Sequence, residues 1–393
     1  MKNKHLLLIV QNNSFPTDKR VYKEAASLRD AGYRVSVISP KSERDPLSKE
    51  LCDEMKVHRY SHFEATGGLA GFILEYANAV IQIFFISLGI FIRKPFKSIH
   101  VANPPDFFWP MALFYKLFGV KFIFDQHDIA PEMYRINEGK DKNFIYKVLL
   151  WCEKLTVKCS SAIITTNRSI KDRLETMWGI GSRPCAIVYN GPNESFLPKK
   201  NEQLVKKYAG KKIILYIGEM AVVDSIDVII DVAEDLIQKK GRTDCHFILV
   251  GDGPERKRLE KLSKDKGLSK FVEFTGFVSH DQVMEYLYVA TIGVAPDRKN
   301  GLNEFLTLIK TLEYLKAQIP FVAFDLQETK NIANDSALYA KDFDEYVHHV
   351  EWLLNHPDKA TEMGKKGEQR MMQDFLWKSQ ADKMIALYKQ ILS

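Results

Sequence analysis

The chain has 393 residues, more than one core usually serves, so two domains are expected. Apolar residues at 46% and charged ones at 27% describe an ordinary globular protein, and its five cysteines (Cys52, Cys152, Cys159, Cys185, Cys245) include no CxxC pair, which argues against a zinc site or disulfide frame and for a reducing compartment. The net charge of +6 is unevenly shared, with 27 Lys and Arg against 19 Asp and Glu in residues 1–190; that half invites an anionic partner, and since no zinc finger, RNP motif or helix-turn-helix signature supports nucleic acid, anionic membrane lipid fits better.

Residues 6–10 read as a first buried strand, too short for a signal-peptide core, so the chain is expected to stay in the cytoplasm. The helix 18–30 carries Val21, Ala25 and Leu28 on one face and stops at Gly32. With the strand 35–39 it gives the strand–helix–strand opening of a doubly wound α/β domain. No G-x-G-x-x-G follows the first strand, where Asn12, Asn13, Ser14, Phe15 and Pro16 stand, so a dinucleotide site here is weakly supported. Residues 69–92 form the most apolar stretch. Glu75, Asn78 and Gln82 interrupt it, and a span needs about 20 apolar residues, so a transmembrane helix is rejected. Two readings remain: a helix facing the core, or one whose outer apolar face and cationic end (Arg93, Lys94, Lys97) rest on the bilayer.

Strands at 98–101 and 121–125 lead into Asn103-Pro104-Pro105-Asp106 and into Gln126-His127-Asp128-Ile129-Ala130-Pro131-Glu132. Both loops lie at strand carboxyl ends. A histidine beside carboxylates in a cleft can donate to a sugar hydroxyl or accept its proton at neutral pH. His127 can equally be structural, tying down its loop by bonding Asp125 or Asp128. A strand at 162–166 meets the cap Asn167-Arg168-Ser169, and the strand 186–189 precedes Asn190-Gly191-Pro192-Asn193.

A polar, lysine-rich link (198–212) leads to the second domain, which opens with the strand 213–217, a helix over 225–240 and the strand 246–250. The turn Gly251-Asp252-Gly253-Pro254-Glu255 follows, and its glycines let backbone approach a ligand or simply permit positive φ. The strand 291–295 runs into a polar loop, after which Leu306, Ile309, Leu312 and Leu315 recur at helical spacing before Pro320 opens another apolar run. In such a unit the helix N-terminus faces the strand carboxyl ends, where free N–H groups and the helix dipole favour phosphate. Lys310 and Glu313, at i and i+3, can lean toward one ligand, a cation for phosphate and a carboxylate for a ribose diol. They can also be one solvated ion pair on an amphipathic helix. Residues 376–392 read as a final amphipathic helix with Met384, Leu387, Tyr388 and Ile391 apolar.

Several of these stretches resemble the family 4 glycosyltransferases, most closely bacterial members that build surface polysaccharides. The run Ile309-Lys310-Thr311-Leu312-Glu313-Tyr314-Leu315, continued by 319–326 and Glu328-Thr329, is similar to the family's donor-site segment. Residues 18–25 resemble its D-x-R-V-x-x-E-A helix, and 103–106 and 124–132 its N-P-P-D and F-D-x-H-D-x-x-P-E loops. The resemblance implies a GT-B fold: an α/β chain of two facing Rossmann-like domains with a cleft between them, an acceptor-side domain at 1–195, a nucleotide-sugar domain at 196–375, and a C-terminal helix at 376–393 returning to the first. It further implies a retaining transfer from a nucleotide sugar to a glycan or lipid-linked acceptor, with no cofactor and no metal. His127, Asp128 and Glu304 would serve catalysis. Gly218, Gly251, Phe277, Val278, Arg298, Lys299, Lys310 and Glu313 would hold the donor, and Arg20, Asn103, Asp106 and Glu132 would line the acceptor side.

The pattern departs from the family in two places. Gly218-Glu219-Met220-Ala221-Val222-Val223-Asp224-Ser225 lacks the Arg and Lys that grip a donor diphosphate, and Glu219 sets a negative charge there. The acidic position eight before Glu313 is Phe305, with Glu304 beside it as a substitute and Arg298, Lys299 and Lys310 as replacement cations. Two readings of function follow: an active transferase at the inner membrane face, or a transferase-like fold without catalysis that assembles with a partner protein. A sugar-nucleotide epimerase on the same fold fits the loops less well.

Overall fold

Apolar runs separated by helical stretches assemble into two parallel sheets. The computed structural model describes residues 4–61, 68–137, 139 and 143–393. Its first sheet takes β1 (His5–Ile9), β2 (Arg34–Pro40), β3 (Lys49–Cys52), β4 (Met55–Tyr60), β5 (Ser98–Ala102), β6 (Lys121–Gln126), β7 (Ala162–Thr165) and β8 (Cys185–Ile187), in the order β3-β4-β2-β1-β5-β6-β7-β8. Only β3, at the edge, runs antiparallel to its neighbour. The second sheet is wholly parallel: β9 (Lys212–Ile217), β10 (Cys245–Val250), β11 (Val272–Gly276), β12 (Ile292–Ala295), β13 (Phe321–Phe324) and β14 (Ala337–Ala340), in the order β11-β10-β9-β12-β13-β14. Strands buried on both faces explain the unbroken apolar runs: Leu6, Leu7, Leu8 and Ile9 are all buried. Both sheets are doubly wound. The strand order reverses between β1 and β5 and again between β9 and β12, and open α/β sheets bind ligands outside the strand carboxyl ends at such switch points.

The chain divides into a first unit, Met1–Tyr189 with Gln380–Ser393, and a second, Asn190–Ser379. The boundaries fall six and four residues from those the sequence implied, because the segment after Tyr189 stays with the second unit, where Trp377 N–H donates to the Pro192 carbonyl. The link contains a short helix, Glu202–Lys207, whose cap is the Asn201 side chain. The stretch expected as one helix from 225 to 240 begins at Asp227 and widens into a π-helical turn at Asp235–Lys239.

The apolar stretch after β4 is one helix, Gly68–Arg93. It buries Ala79, Ile83, Ser87 and Ile90 in the first unit's core while leaving Leu74, Ile81, Phe85 and Ile92 exposed, so it has both the inner face and the outer apolar face of the two readings. Its part Leu74–Arg93 is long and apolar enough to cross a membrane by length and composition.

The last helix, Trp377–Leu392, joins the first unit from Gln380 onward and buries Met384, Leu387 and Tyr388. The Tyr388 hydroxyl lies 2.8 Å from His100 Nδ1 in a fully buried position. Tyr388→Phe strands that imidazole nitrogen and is expected to cost the first unit about 1–3 kcal/mol in urea denaturation.

Candidate functional site

The switch point of the second sheet is built by residues that pack backbone against backbone. Gly218 follows β9 and Gly251 follows β10, and a Cβ on Gly251 would stand 1.9 Å from the Gly218 carbonyl oxygen. Gly251 has φ +137 and Gly253 presses on the Met220 backbone, so the glycines of this turn serve the approach of 251–253 to 218–220. Between β9 and β12 the Tyr314 hydroxyl reaches the carbonyls of Leu215 (2.9 Å) and Val294 (3.2 Å). Its ring lies where a Gly293 side chain would be. That fit seats the helix Ile309–Lys316 over the strand ends.

At the second residue of this helix, the Lys310 ammonium is buried. It donates to both oxygens of Asp297, at 2.9 and 3.1 Å, and lies 3.7 Å from Asp224 and 4.9 Å from the Tyr216 ring centroid. Burial alone would lower its pKa, but the two carboxylates hold it above the ordinary lysine value. Asp224 is pushed up to about 6 by burial, against the opposing pull of Lys310. Glu313, half-buried, is pushed up to about 7 by burial, which Lys310 only partly offsets. The N-cap Leu308 supplies no side-chain acceptor, so the first N–H groups of the helix lack a side-chain cap.

The surrounding loop is self-supporting. Glu304, expected as a substitute acid, accepts the backbone N–H groups of Asn300 (3.1 Å) and Gly301 (2.8 Å) through Oε2, where the loop turns back on itself. Asn303 donates to the carbonyls of Arg298 and Val223, tying the loop to 222–224. Arg298 and Lys299 are exposed, the former over the Phe324 ring. Glu219 is exposed while its carbonyl accepts the Tyr216 hydroxyl at 2.7 Å. Phe277 is exposed and Val278 half-buried beyond β11.

A second polar cluster lies in the first unit where β5 and β6 end. Asp125, fully buried, meets His127 Nε2 at 2.7 Å, His100 Nε2 at 3.1 Å and an Arg20 amine at 3.4 Å. Burial would raise its pKa, but His127 and Arg20 hold it well below the carboxylate range. His127 Nε2 sits between the Asp125 carboxylate and the Arg20 Nε–H, which donates to it, so its role toward Asp125 follows the tautomer. Arg20 Nε lies 3.0 Å from both His127 Nε2 and Glu24 Oε1. Glu24 is wholly buried, and burial together with the neighbouring Asp125 pushes its carboxyl well above the ordinary value, against the pull of Arg20. Glu24, Asp125 and His127 could present three metal-ligand atoms within 4.8 Å of one another, but the Arg20 guanidinium already supplies positive charge there.

The Asn103 side chain organises the loop, accepting the N–H groups of His127 (2.6 Å) and Asp128 (3.1 Å) and donating to Asp106 (3.0 Å). Asp106 is buried and pushed up to about 8 by burial and by Glu153. The Asp128 carboxyl is raised by burial. Glu132 binds Arg135 and Tyr146, joining two helices. His127, Asp128, Arg20 and Asn103 thus come together, and Gly218 and Lys310 come together in the other unit. Glu24, Asp125, Asp224 and Asp297 were missed as site residues; only the placing of β1 beside β5 and of β9 beside β12 gives them neighbours.

Two family models match the chain: Glycosyltransferase Family 4 over residues 18–196, and Glycosyl transferases group 1 over residues 211–356. The α-D-kanosaminyltransferase of Streptomyces kanamyceticus is 25% identical over 61% of this chain and 63% of its own length. Among solved structures, the sucrose-phosphate synthase of Thermosynechococcus elongatus superposes with a TM-score of 0.80 at 16% identity over 99% of both chains. An Anabaena protein, HepE, in complex with UDP and glucose superposes with a TM-score of 0.74 at 13% identity, over 98% of this chain and all of its own. These likenesses give the fold as two Rossmann-like domains of the GT-B type.

The raised Glu313 sets a pH dependence. The folded state holds its proton up to about 7 and the unfolded glutamate only to 4.5, so stability contributed below pH 4.5 is lost as pH rises toward 7. Glu313→Gln is expected to be more stable than the wild type at pH 8 by on the order of 1–3 kcal/mol, with the gain vanishing near pH 4, as read from urea denaturation at both pH values.

Proposed function

The chain belongs to glycosyltransferase family 4, and on that premise we propose that it moves a sugar, with retention at the anomeric carbon, from a nucleotide-sugar donor to a glycan or lipid-linked acceptor. It would work in the cytoplasm, at the inner face of the cell membrane, in surface-polysaccharide synthesis. The observation that carries the donor assignment is the buried Lys310 ammonium under an uncapped helix N-terminus at the β9/β12 switch point.

In this reading the leaving diphosphate approaches the Lys310 end of the helix, where fixed N–H groups and one ammonium stabilise charge developing as the glycosidic bond breaks. Glu313 takes the ribose diol. In the first unit, His127 is oriented by Asp125 through Nε2 and offers Nδ1 to a sugar hydroxyl. The second reading, a transferase-like subunit without catalysis, draws on one observation: Lys310 already faces two carboxylates.

A thermal-shift panel of nucleotide sugars and free nucleoside diphosphates tests the assignment, since a ligand at 100 times its dissociation constant stabilises by about 2.7 kcal/mol. Lys310→Ala and Glu313→Ala are expected to weaken nucleoside diphosphate binding, and Glu219→Arg to strengthen it by up to about one tenfold step. Unchanged affinity in both alanine variants removes these residues from the donor site. Donor hydrolysis and transfer, with the product's anomeric configuration read by NMR, then decide between the enzyme and the non-catalytic subunit.

A further inference from the structure

Exposed large apolar side chains gather on three helices of the first unit. On Gly68–Arg93 the exposed Leu74, Ile81, Phe85 and Ile92 are separated by 7, 4 and 7 residues. At about 100° per residue those steps keep them within about 20° of one line along the helix. The next helix, Trp109–Lys116, exposes Leu113 and, just past its end, Leu117 at 82% and Phe118 at 57%. The helix Phe144–Cys159 exposes Phe144 at 78%, with Val148 and Trp151 at i+4 and i+7 on the same side.

These are one surface. The three helices lie on the connections β4→β5, β5→β6 and β6→β7, which all step the same way across the sheet, so right-handed crossovers set them on one face. Ring contacts join them: Phe84 to Phe114 at 5.2 Å, Phe91 to Phe118 at 5.6 Å, and Trp109 to Trp151 at 5.6 Å. Exposed apolar area on this scale marks an interaction surface rather than scattered surface residues.

Charge identifies the partner. Exposed cations border the apolar line at each helix: Arg93, Lys94 and Lys97 after the first, Lys116 and Lys121 around the second, Lys147 and Lys154 on the third. The acids of these three helices are half-buried Glu75 and Glu153, the latter fully buried against Arg173. An exposed apolar line rimmed by cations, with Trp and Phe on its flank, suits the boundary between acyl chains and anionic headgroups. A crossing is disfavoured because the opposite side of the first helix, Ala79, Ile83 and Ile90, belongs to the core.

We propose that this three-helix face docks the protein on anionic lipid bilayers, with Phe85, Leu117 and Trp151 entering the acyl boundary and the rim lysines meeting headgroups. The inference rests on the reading that the enzyme works at a membrane, and it names the surface that does so.

The test uses the full chain and vesicles of phosphatidylcholine alone or mixed with phosphatidylglycerol. Co-sedimentation is expected only with the mixed vesicles, falling as salt rises. Phe85→Asp with Leu117→Asp, and separately Lys94→Glu with Lys116→Glu and Lys121→Glu, should each lower partitioning at least tenfold. Brominated acyl chains should quench fluorescence in the wild type more than in Trp151→Phe. Wild-type binding that both variant sets retain overturns this face while leaving the membrane reading standing. Absence of wild-type binding overturns both. Retention through an alkaline carbonate wash overturns peripheral docking in favour of a span, and a dimer by light scattering that Phe85→Asp with Leu117→Asp dissolves assigns the face to a second copy.

Discussion

An ammonium taken out of water must keep counter-charge within a few ångströms, and Lys310 meets that requirement with Asp297 and Asp224 at the end of β9 and β12. Much of the second unit's local structure follows from holding this group in place. Tyr314 plugs the gap between the two strands, Gly293 leaves room for its ring, and Asn303 pins the 297–306 loop to the segment bearing Asp224. The consequence is a strand end with a cation whose charge is already answered. In the proposed donor reading, an entering diphosphate would compete with Asp297 for the same protons on Nζ.

The first unit solves the converse problem. Its buried centre is a carboxylate, Asp125, answered by Arg20 and by two imidazoles, while burial and the Asp125 charge push the adjacent Glu24 carboxyl well above its ordinary pKa, against the pull of Arg20. Asp125 thereby holds the His127 ring through Nε2, and Tyr388 of the last helix holds His100 from the other side. The C-terminal helix therefore has a chemical as well as a packing link to this cluster.

Most of the parallel strands, though not β14, which reads as loop, were legible in the sequence because strands buried on both faces must be apolar throughout, and the glycines at 218 and 251 mark where two of them end. The hairpin of β3 and β4 was not, since its edge position mixes exposed and buried residues over four to six positions. Lys310 and Glu313 could be picked out from their i, i+3 spacing on an amphipathic helix. Asp297 and Asp224 could not, because an aspartate in a loop gains meaning only when strand order brings that loop beside another. Glu304 adds a structural part that its spacing did not announce, accepting two backbone N–H groups of its own loop.

The exchange at Lys310 is open to a direct measurement. Isothermal titration of a nucleoside diphosphate into the wild type and into Asp297→Asn compares the site with and without the competing carboxylate, at constant ionic strength. Binding about tenfold tighter in Asp297→Asn, the effect of removing one like charge near the phosphate, is the predicted result. Equal or weaker binding in Asp297→Asn would contradict the account, since Lys310 would then not be the group that the diphosphate and Asp297 share.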